Sequence, residues 1–246
     1  MSPYVRLGIG LLVLAGITVG VLGYAGIPQR RAVLLASARA IVQLAFVAAV
    51  LRGVFAAPVA VVAVITVMFS VATWTAGRRL RSHERAYRAV VLACFAGAGV
   101  SIAIIVGAPV LSRDVRTLVA VSGIVFGGTM TAATLTGRRL SDGLRLRRDE
   151  IEGWLSLGAT SRQAVRPIAR LAVSEALVPA LDQTRTVGLV TLPGAFVGAL
   201  LGGASAVDAA RFQIVVLVGL LCAESITACL LAYLLGAPAV LPSDER

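Results

Sequence analysis

The sequence predicts an all-α fold: a polytopic transmembrane bundle of about seven helices with a cytoplasmic helix–turn–helix. Three observations predict it. Of the 246 residues, 58% are hydrophobic and only 14% charged, against roughly 45–50% and about 25% in a soluble domain. A water-soluble fold of this length cannot bury so much apolar surface in one core. Apolar runs of about 20 residues, the length that crosses about 30 Å of hydrocarbon, recur along the chain. The arginines fall in short stretches between those runs, as membrane topology places them.

In chain order, the runs are as follows. Residues 7–27 are uncharged, too long for the apolar core of a cleaved signal and flanked only by Arg6, so they are read as a retained helix. Residues 32–51 contain only Arg39, and 53–77, 89–112 and 117–137 are uncharged. Residues 186–207 are uncharged but interrupted by Pro193-Gly194, and 212–241 contain only Glu224. The seven runs form one transmembrane domain spanning residues 1–246.

With the N-terminus outside, one side of the membrane receives Arg30 and Arg31, then Arg78, Arg79, Arg81, Arg85 and Arg88, then the arginines from Arg138 to Arg170, and finally Arg246. The other side receives Arg6, Arg52, Arg113, Arg116 and Arg211. Positive loops stay cytoplasmic, so the chain is expected in the cell's inner (cytoplasmic) membrane, N-terminus outside and C-terminus inside. Gly77-Arg78-Arg79-Leu80 and Gly137-Arg138-Arg139-Leu140 look alike, a likeness ascribed to this pressure rather than to an inherited repeat.

The one long polar stretch, 138–170, reads as two helices. Leu144, Ile151, Trp154, Leu155 and Leu157 give the first a partly periodic apolar face. Gly158 suits a helix-ending position with positive φ. Thr160 followed three residues later by Gln163 is a capping-box pattern for the second. Such an element either lies on anionic lipid through its arginines or docks a partner.

Composition also excludes. The net charge of +11 does not indicate nucleic acid, because no basic domain or groove-binding helix accompanies it. All 23 basic residues are arginine, so the lysine of a phosphate-binding Walker A loop is missing. Cys94, Cys222 and Cys229 lie in apolar runs without metal-ligand spacing, and the single histidine, His83, sits in a basic loop. No catalytic motif is present, and no cofactor is expected in this chain.

Several residues stand out as candidates. Arg39 and Gln43, four apart, share a helix face, with Arg39 about 10 Å into its run. A charge there costs at least ~2.5–3.5 kcal/mol, so it either lines a pathway or gate, or snorkels and pairs. Asp182 and Arg185 form either a boundary surface pair or a gating pair. Glu224, in mid-span, pairs with Arg39, contacts a cation (the weak metal candidate), or stays protonated. Pro193-Gly194 breaks a helix where protein or water must satisfy the freed backbone groups, a hinge or an exposed carbonyl on a substrate path. Gly194, Gly198 and Gly202, and likewise Gly123 and Gly127, repeat at fours and read as packing stripes. Met68 and Met130 read as filler.

The segment from Glu150 to Thr160 resembles the EAA loop of ABC transporter permeases: Glu152, Gly158 and Ile168 keep its spacing, while Arg170 and Leu171 replace its closing Leu and Pro. Arg39-Ala-Ile-Val-Gln43-Leu44, this loop, and Thr186-Val-Gly-Leu-Val-Thr-Leu-Pro193-Gly194 occur in an order and at distances similar to those of the FetB-type (YbbM-like) permease family, from about Arg39 to the last run. Glu224 departs from that family, where a small or polar residue would stand.

The resemblance implies a permease homodimer paired with a separate ATP-binding cassette ATPase, which would carry the ATP and Mg, and export of iron, another metal or a metal-linked solute. Glu152, Trp154, Leu155, Gly158, Ala159 and Thr160 would couple to the ATPase; Arg39, Gln43, Asp182, Arg185, Pro193, Gly194 and Glu224 would serve the translocation path or gate. The alternative is an ion-coupled secondary transporter using Arg39 and Glu224 without an ATPase. A membrane enzyme and a structural or sensor protein are the weaker rivals.

Overall fold

The computed structural model describes residues 2–54, 58–80, 86–108, 111 and 114–237, the side chains of 51–54 and 58 excepted. The basic residues Arg81, His83, Arg85, Arg113 and Arg246, the Arg52 side chain, and parts of the runs placed at 53–77, 89–112 and 212–241 lie outside the described residues. Among the described residues there are nine helices and no strand: α1 (Pro3–Tyr24), α2 (Arg30–Val54), α3 (Pro58–Arg79), α4 (Ala86–Gly107), α5 (Val115–Leu146), α6 (Arg148–Ser156), α7 (Ser161–Thr186), α8 (Gly194–Leu201) and α9 (Ala206–Leu235). Six of them, α1 to α5 and α9, are long and apolar enough to cross a membrane.

The chain divides into two units, residues 1–60 and 61–246. The first is a helical hairpin. Gly26, at φ 69°, turns the chain after α1, and Arg30 donates from Nη2 to the Gly23 carbonyl at 2.7 Å. None of the described side chains of this unit is buried.

The second unit holds the core, in two clusters. One joins Leu80, Leu140, Leu144, Ile151, Val165, Ile168, Leu231 and Leu235 at the arginine-rich end of the helices. The other gathers Ile105, Val121, Val125, Phe126, Val216 and Ala223 farther along, with Phe69 edge-on to Phe126 at 5.4 Å between ring centres. Helices α4 and α9 approach closely because Gly97 has no side chain. A Cβ there would stand 2.2 Å from Thr227 Oγ1 and 2.4 Å from the Ala223 carbonyl oxygen. Two hydroxyls then bridge the pair: Ser101 Oγ donates to the Gly219 carbonyl at 2.7 Å, and Thr227 Oγ1 to that of Ala93 at 3.3 Å. Bonds of this kind average about 0.6 kcal/mol within membranes.

The two Gly-Arg-Arg-Leu strings have a packing role beyond their charge. Leu80 and Leu140 are both buried in the first cluster, and the missing side chain of Gly137 makes room for Leu80, whose methyls lie 2.4–2.5 Å from where a Cβ would be.

The structure departs from the expected spans in two places. Helix α5 does not stop at Gly137. It runs 32 residues, about 48 Å at 1.5 Å per residue, and so carries the first part of the expected polar loop as rigid helix. The break falls at Arg147, whose φ of −114° and ψ of 33° are not helical. Leu144 and Ile151, expected on one helix, therefore lie on two.

The second departure is the run 186–207, which is not one helix. Thr186 ends α7; its carbonyl accepts from the N–H groups of Leu189 and Val190 at 3.2 and 2.9 Å. Gly188, at φ 79°, turns the chain, and Pro193 caps an eight-residue α8, about 12 Å long. Alongside α9 runs α7 instead. Its Arg162 stacks on Tyr233, its Ile168 shares a cluster with Leu235, and Val187, just beyond its end, lines a cavity with Gln213 and Ile214. The two helices are antiparallel over about 28 Å from Ile168 to Val187.

Candidate functional site

The residues expected to meet a partner form one elbow, joining α6 to the start of α7. Ile151, 1% exposed, is the side chain that α6 buries. It anchors that helix in the first core cluster. Trp154, Leu155 and Leu157 remain exposed, Leu157 to 83%, though apolar area is stabilised by burial at about 25 cal/mol per Å². Glu152 faces outward and accepts from Arg148 Nε at 2.8 Å.

The turn between the helices is fully specified. Gly158 takes φ 87°, its N–H donates to the Leu155 carbonyl at 3.0 Å, and that of Ala159 to the Trp154 carbonyl at 3.0 Å. This pattern ends α6 at a glycine because positive φ carries a steric cost for other residues. Thr160 then caps α7 with both bonds of a capping box: its N–H donates to Gln163 Oε1 at 2.8 Å, and the Gln163 N–H donates to Thr160 Oγ1 at 3.4 Å. Ile168, the third position of the EAA-like spacing, is buried. Its methyl sits 2.5 Å from where a Cβ on Gly143 would be, so it fixes α7 against α5. The elbow borders a depression of about 670 Å³ lined by Trp154, Leu157, Gly158, Gln163, Arg166 and Pro167 among others.

A second group lies along α7 and the break that follows. Glu175 accepts from Arg139 Nε at 3.1 Å. Asp182 and Arg185 approach to 3.8 Å with both side chains largely exposed. Glu175 and Asp182 are seven apart and share a face. Pro193 and Gly194 stand where α8 begins. Pro193 offers no side-chain cap, so the first N–H groups of this short helix have no capping side chain. Beside them is a cavity of about 260 Å³ lined by Val187, Gly188, Pro193, Phe196, Gln213 and Leu217 among others. Gln213 is 5% exposed and its Oε1 has no hydrogen-bond partner among the described residues. Leaving a buried acceptor unmet costs about 1–3 kcal/mol.

Glu224 is half-buried in the middle of α9 and makes no ion pair with a described residue. Its Oε1 would lie 2.6 Å from a Cβ on Gly128, as would Leu220 Cδ2. Gln213, Leu217, Leu220 and Glu224, spaced by four, three and four, form one stripe of α9. A polar group thus stands at each end of a short apolar strip. Arg39 and Gln43 lie on the exposed surface of α2 in the first unit. Neither makes an ion pair or a side-chain hydrogen bond with a described residue of that unit.

Among the described residues, no group of three or more His, Cys, Asp or Glu side chains is placed to hold a metal ion. Cys94 is buried with its thiol 3.7 Å from the Thr129 carbonyl. Met68 and Met130 are partly buried against the second cluster. Gly194 and Gly198, expected to pack, have nothing within 4 Å of a Cβ, and neither does Gly127, whereas Gly123 receives Met68 at 2.7 Å. The α4–α9 seam is made by Gly97 and Gly219, which are not part of those stripes.

Sequence reasoning missed Gln213 and Glu175. Gln213 is a lone uncharged polar residue in an apolar run, a signal that counting charges passes over. Glu175 sits between the polar stretch 138–170 and the run 186–207, in a segment assigned to neither.

Residues 5–238 match the family described as Uncharacterised protein family (UPF0014). The chain is 36% identical over 203 residues to the UPF0014 membrane protein STAR2 of Oryza sativa subsp. japonica, covering 82% of this chain and 71% of that one. It is 31% identical over 198 residues to the "Probable iron export permease protein FetB" of Escherichia coli (strain K12), covering 80% and 76%. It is 36% identical over 169 residues to the Protein ALUMINUM SENSITIVE 3 of Arabidopsis thaliana, covering 68% and 62%. No solved structure matches.

Proposed function

Because this chain belongs to the UPF0014 family and is a multi-pass membrane protein, we propose that it is the permease subunit of an ABC transporter that exports iron, another metal ion or a metal-linked solute. A separate ATP-binding cassette subunit, holding ATP and Mg, supplies the energy. Metal export is carried over from the printed name of the Escherichia coli relative and is the substrate class to test first.

The observation that carries the reading is the elbow: an exposed apolar tip, Trp154, Leu155 and Leu157, presented by a turn that Gly158 and the Thr160 cap fix, and tied to the core through Ile151. A surface so exposed and so rigidly held suits a groove on a partner. Glu152 borders that groove with its charge. Closing of two ATPase chains on ATP pulls the elbow, and Ile151 and Ile168 pass the motion to α5, α7 and α9. The transferable physics is a two-state element biased by a ligand.

In this scheme α7 is the sixth of seven crossings, which keeps the N-terminus outside and the C-terminus inside. Its Glu175, Asp182 and Arg185 then lie at membrane depth, where ionisable side chains face protein or a water-filled path rather than lipid. A second permease copy across that face, with the path between the two, meets this requirement. The break at Pro193-Gly194, Gln213 and Glu224 are the polar points along the path.

Co-reconstitution with a candidate ATP-binding cassette ATPase, chosen for its ability to bind the chain, tests the reading. Gly158→Val forces a β-branched residue to φ 87° and, together with Glu152→Ala, is expected to lower permease-stimulated ATP turnover more than tenfold while insertion remains normal. Turnover equal to that of the unaltered complex would overturn the coupling role. Glu224, without an ion-pair partner among the described residues, is the observation that favours the second reading, an ion-coupled secondary transporter. Substrate flux by the permease alone under an ion gradient would establish that reading instead.

A further inference from the structure

Helix α7 carries three arginines, Arg162, Arg166 and Arg170, spaced by four, so that they form one stripe about 12 Å long. None of them makes an ion pair with a described residue. No carboxylate stands three or four positions away from any of them, although like charges at that spacing repel. Arg139, Arg147, Arg148, Arg185 and Arg211 do pair with carboxylates. Chance pairing on so arginine-rich a surface has passed this stripe by.

The stripe edges a groove of about 450 Å³ between α7 and α9, whose other walls include Val173, Cys229, Ala232 and Tyr233. The guanidinium of Arg162 stacks over the Tyr233 ring, 4.0 Å from its centre. Tyr233 is two residues from the end of α9, at the depth where aromatic side chains mark a membrane boundary. Passing from Tyr233 to Cys229 and from Arg162 to Val173, the lining changes from cationic and aromatic to apolar, in the direction that leads into the hydrocarbon.

A groove with three guanidinium groups at its mouth that pair with no described carboxylate, and an apolar floor running into the membrane, fits an anionic amphiphile. We propose that it holds an anionic phospholipid of the adjoining leaflet, the phosphate on Arg162, Arg166 and Arg170 and an acyl chain along Val173 and Cys229. Guanidinium groups take phosphate oxygens in bidentate fashion, and basic pockets between helices at this depth bind lipid headgroups. The site does not depend on which solute is transported. It would make the position of α7 sensitive to the charge of the leaflet.

The test uses the full chain in neutral detergent, titrated with dioleoyl phosphatidylglycerol and, separately, with dioleoyl phosphatidylcholine, bound lipid being counted by native mass spectrometry. Retention of the anionic lipid alone is expected. Each arginine is worth about fivefold, so R162Q/R166Q/R170Q should weaken retention roughly a hundredfold. R79Q/R138Q/R145Q, which removes equal charge elsewhere, should leave it within about twofold. If the triple variant does not fold, the single substitutions carry the test at about fivefold each.

Equal loss in both triple variants, or equal retention of the two lipids, would overturn the proposal by showing diffuse charge attraction or none. Displacement of the lipid by millimolar inorganic phosphate would assign the arginines to a free anion. Loss of ATPase docking in R162Q/R166Q/R170Q with lipid retention unchanged would assign them to the partner. Either result overturns the lipid site.

Discussion

The two ends of α7 are built differently. At its start, the turn and the core contacts support one another: the capping box satisfies the Thr160 and Gln163 N–H groups, Ile168 fills the space above Gly143, and Ile151 pins the neighbouring helix into a shared core. At its far end a glycine with positive φ, a proline without an N–H, an eight-residue helix and an orphan Gln213 follow one another. The first region is held by many mutually supporting contacts, the second by few. A transporter needs both: a stiff place where force enters and a compliant place where the path opens.

Three substitutions sharpen this contrast, in descending size. Ile151→Ala empties the anchor of α6 and is expected to cost about 2–5 kcal/mol, seen as lost hydrogen-exchange protection across α6 with α9 unchanged. Protection retained in α6 would show that the elbow is held by something other than this anchor. Gln213→Leu removes the unmet acceptor. It is expected to raise thermal stability by about 1–3 kcal/mol while slowing flux, since the carbonyl oxygen is kept at a cost that the fold alone does not explain. A stability gain with flux unaltered would make Gln213 a packing defect rather than part of the path. Thr160→Ala removes one cap at the stiff end and should cost about 1 kcal/mol, measurable by thermal unfolding. A loss near zero would mean that the turn rests on Gly158 and Ile168 without the capping box.

Much of the fold was legible because lipid simplifies the code. Hydropathy alone marks α1 to α5 and α9. The turn at Gly158 and the cap at Thr160 were legible because each is a local, few-residue motif. What was lost was whatever depends on partners distant in sequence. The run 186–207 looked like a span because it is apolar, whereas α7 was legible only as the second helix of the polar stretch, because Glu175, Asp182 and Arg185 hide its continuation along α9. A helix that contacts other helices and an aqueous or protein-filled face need not be apolar all round. For the same reason the glycine stripe at Gly194 and Gly198 drew attention while Gly97, alone in its run, made the tighter contact.

The site followed the same division. The six elbow residues are adjacent in sequence and remain adjacent in space, so spacing was enough to group them. Glu224, by contrast, meets Gly128 nearly a hundred positions away, and nothing local forecasts that neighbour. Gln213 became visible only once α8 and α9 enclosed it.

Helix α5 runs without a break from its cap at Asp114 to Arg147. It touches Glu224 and Leu220 at Gly128, close to its midpoint. A rod about 48 Å long that tilts by about 10° on such a fulcrum would swing each tip through about 4 Å, in opposite directions. One stroke delivered at one end would thus arrive at the other reversed in sense and nearly undiminished in size, like the far seat of a see-saw.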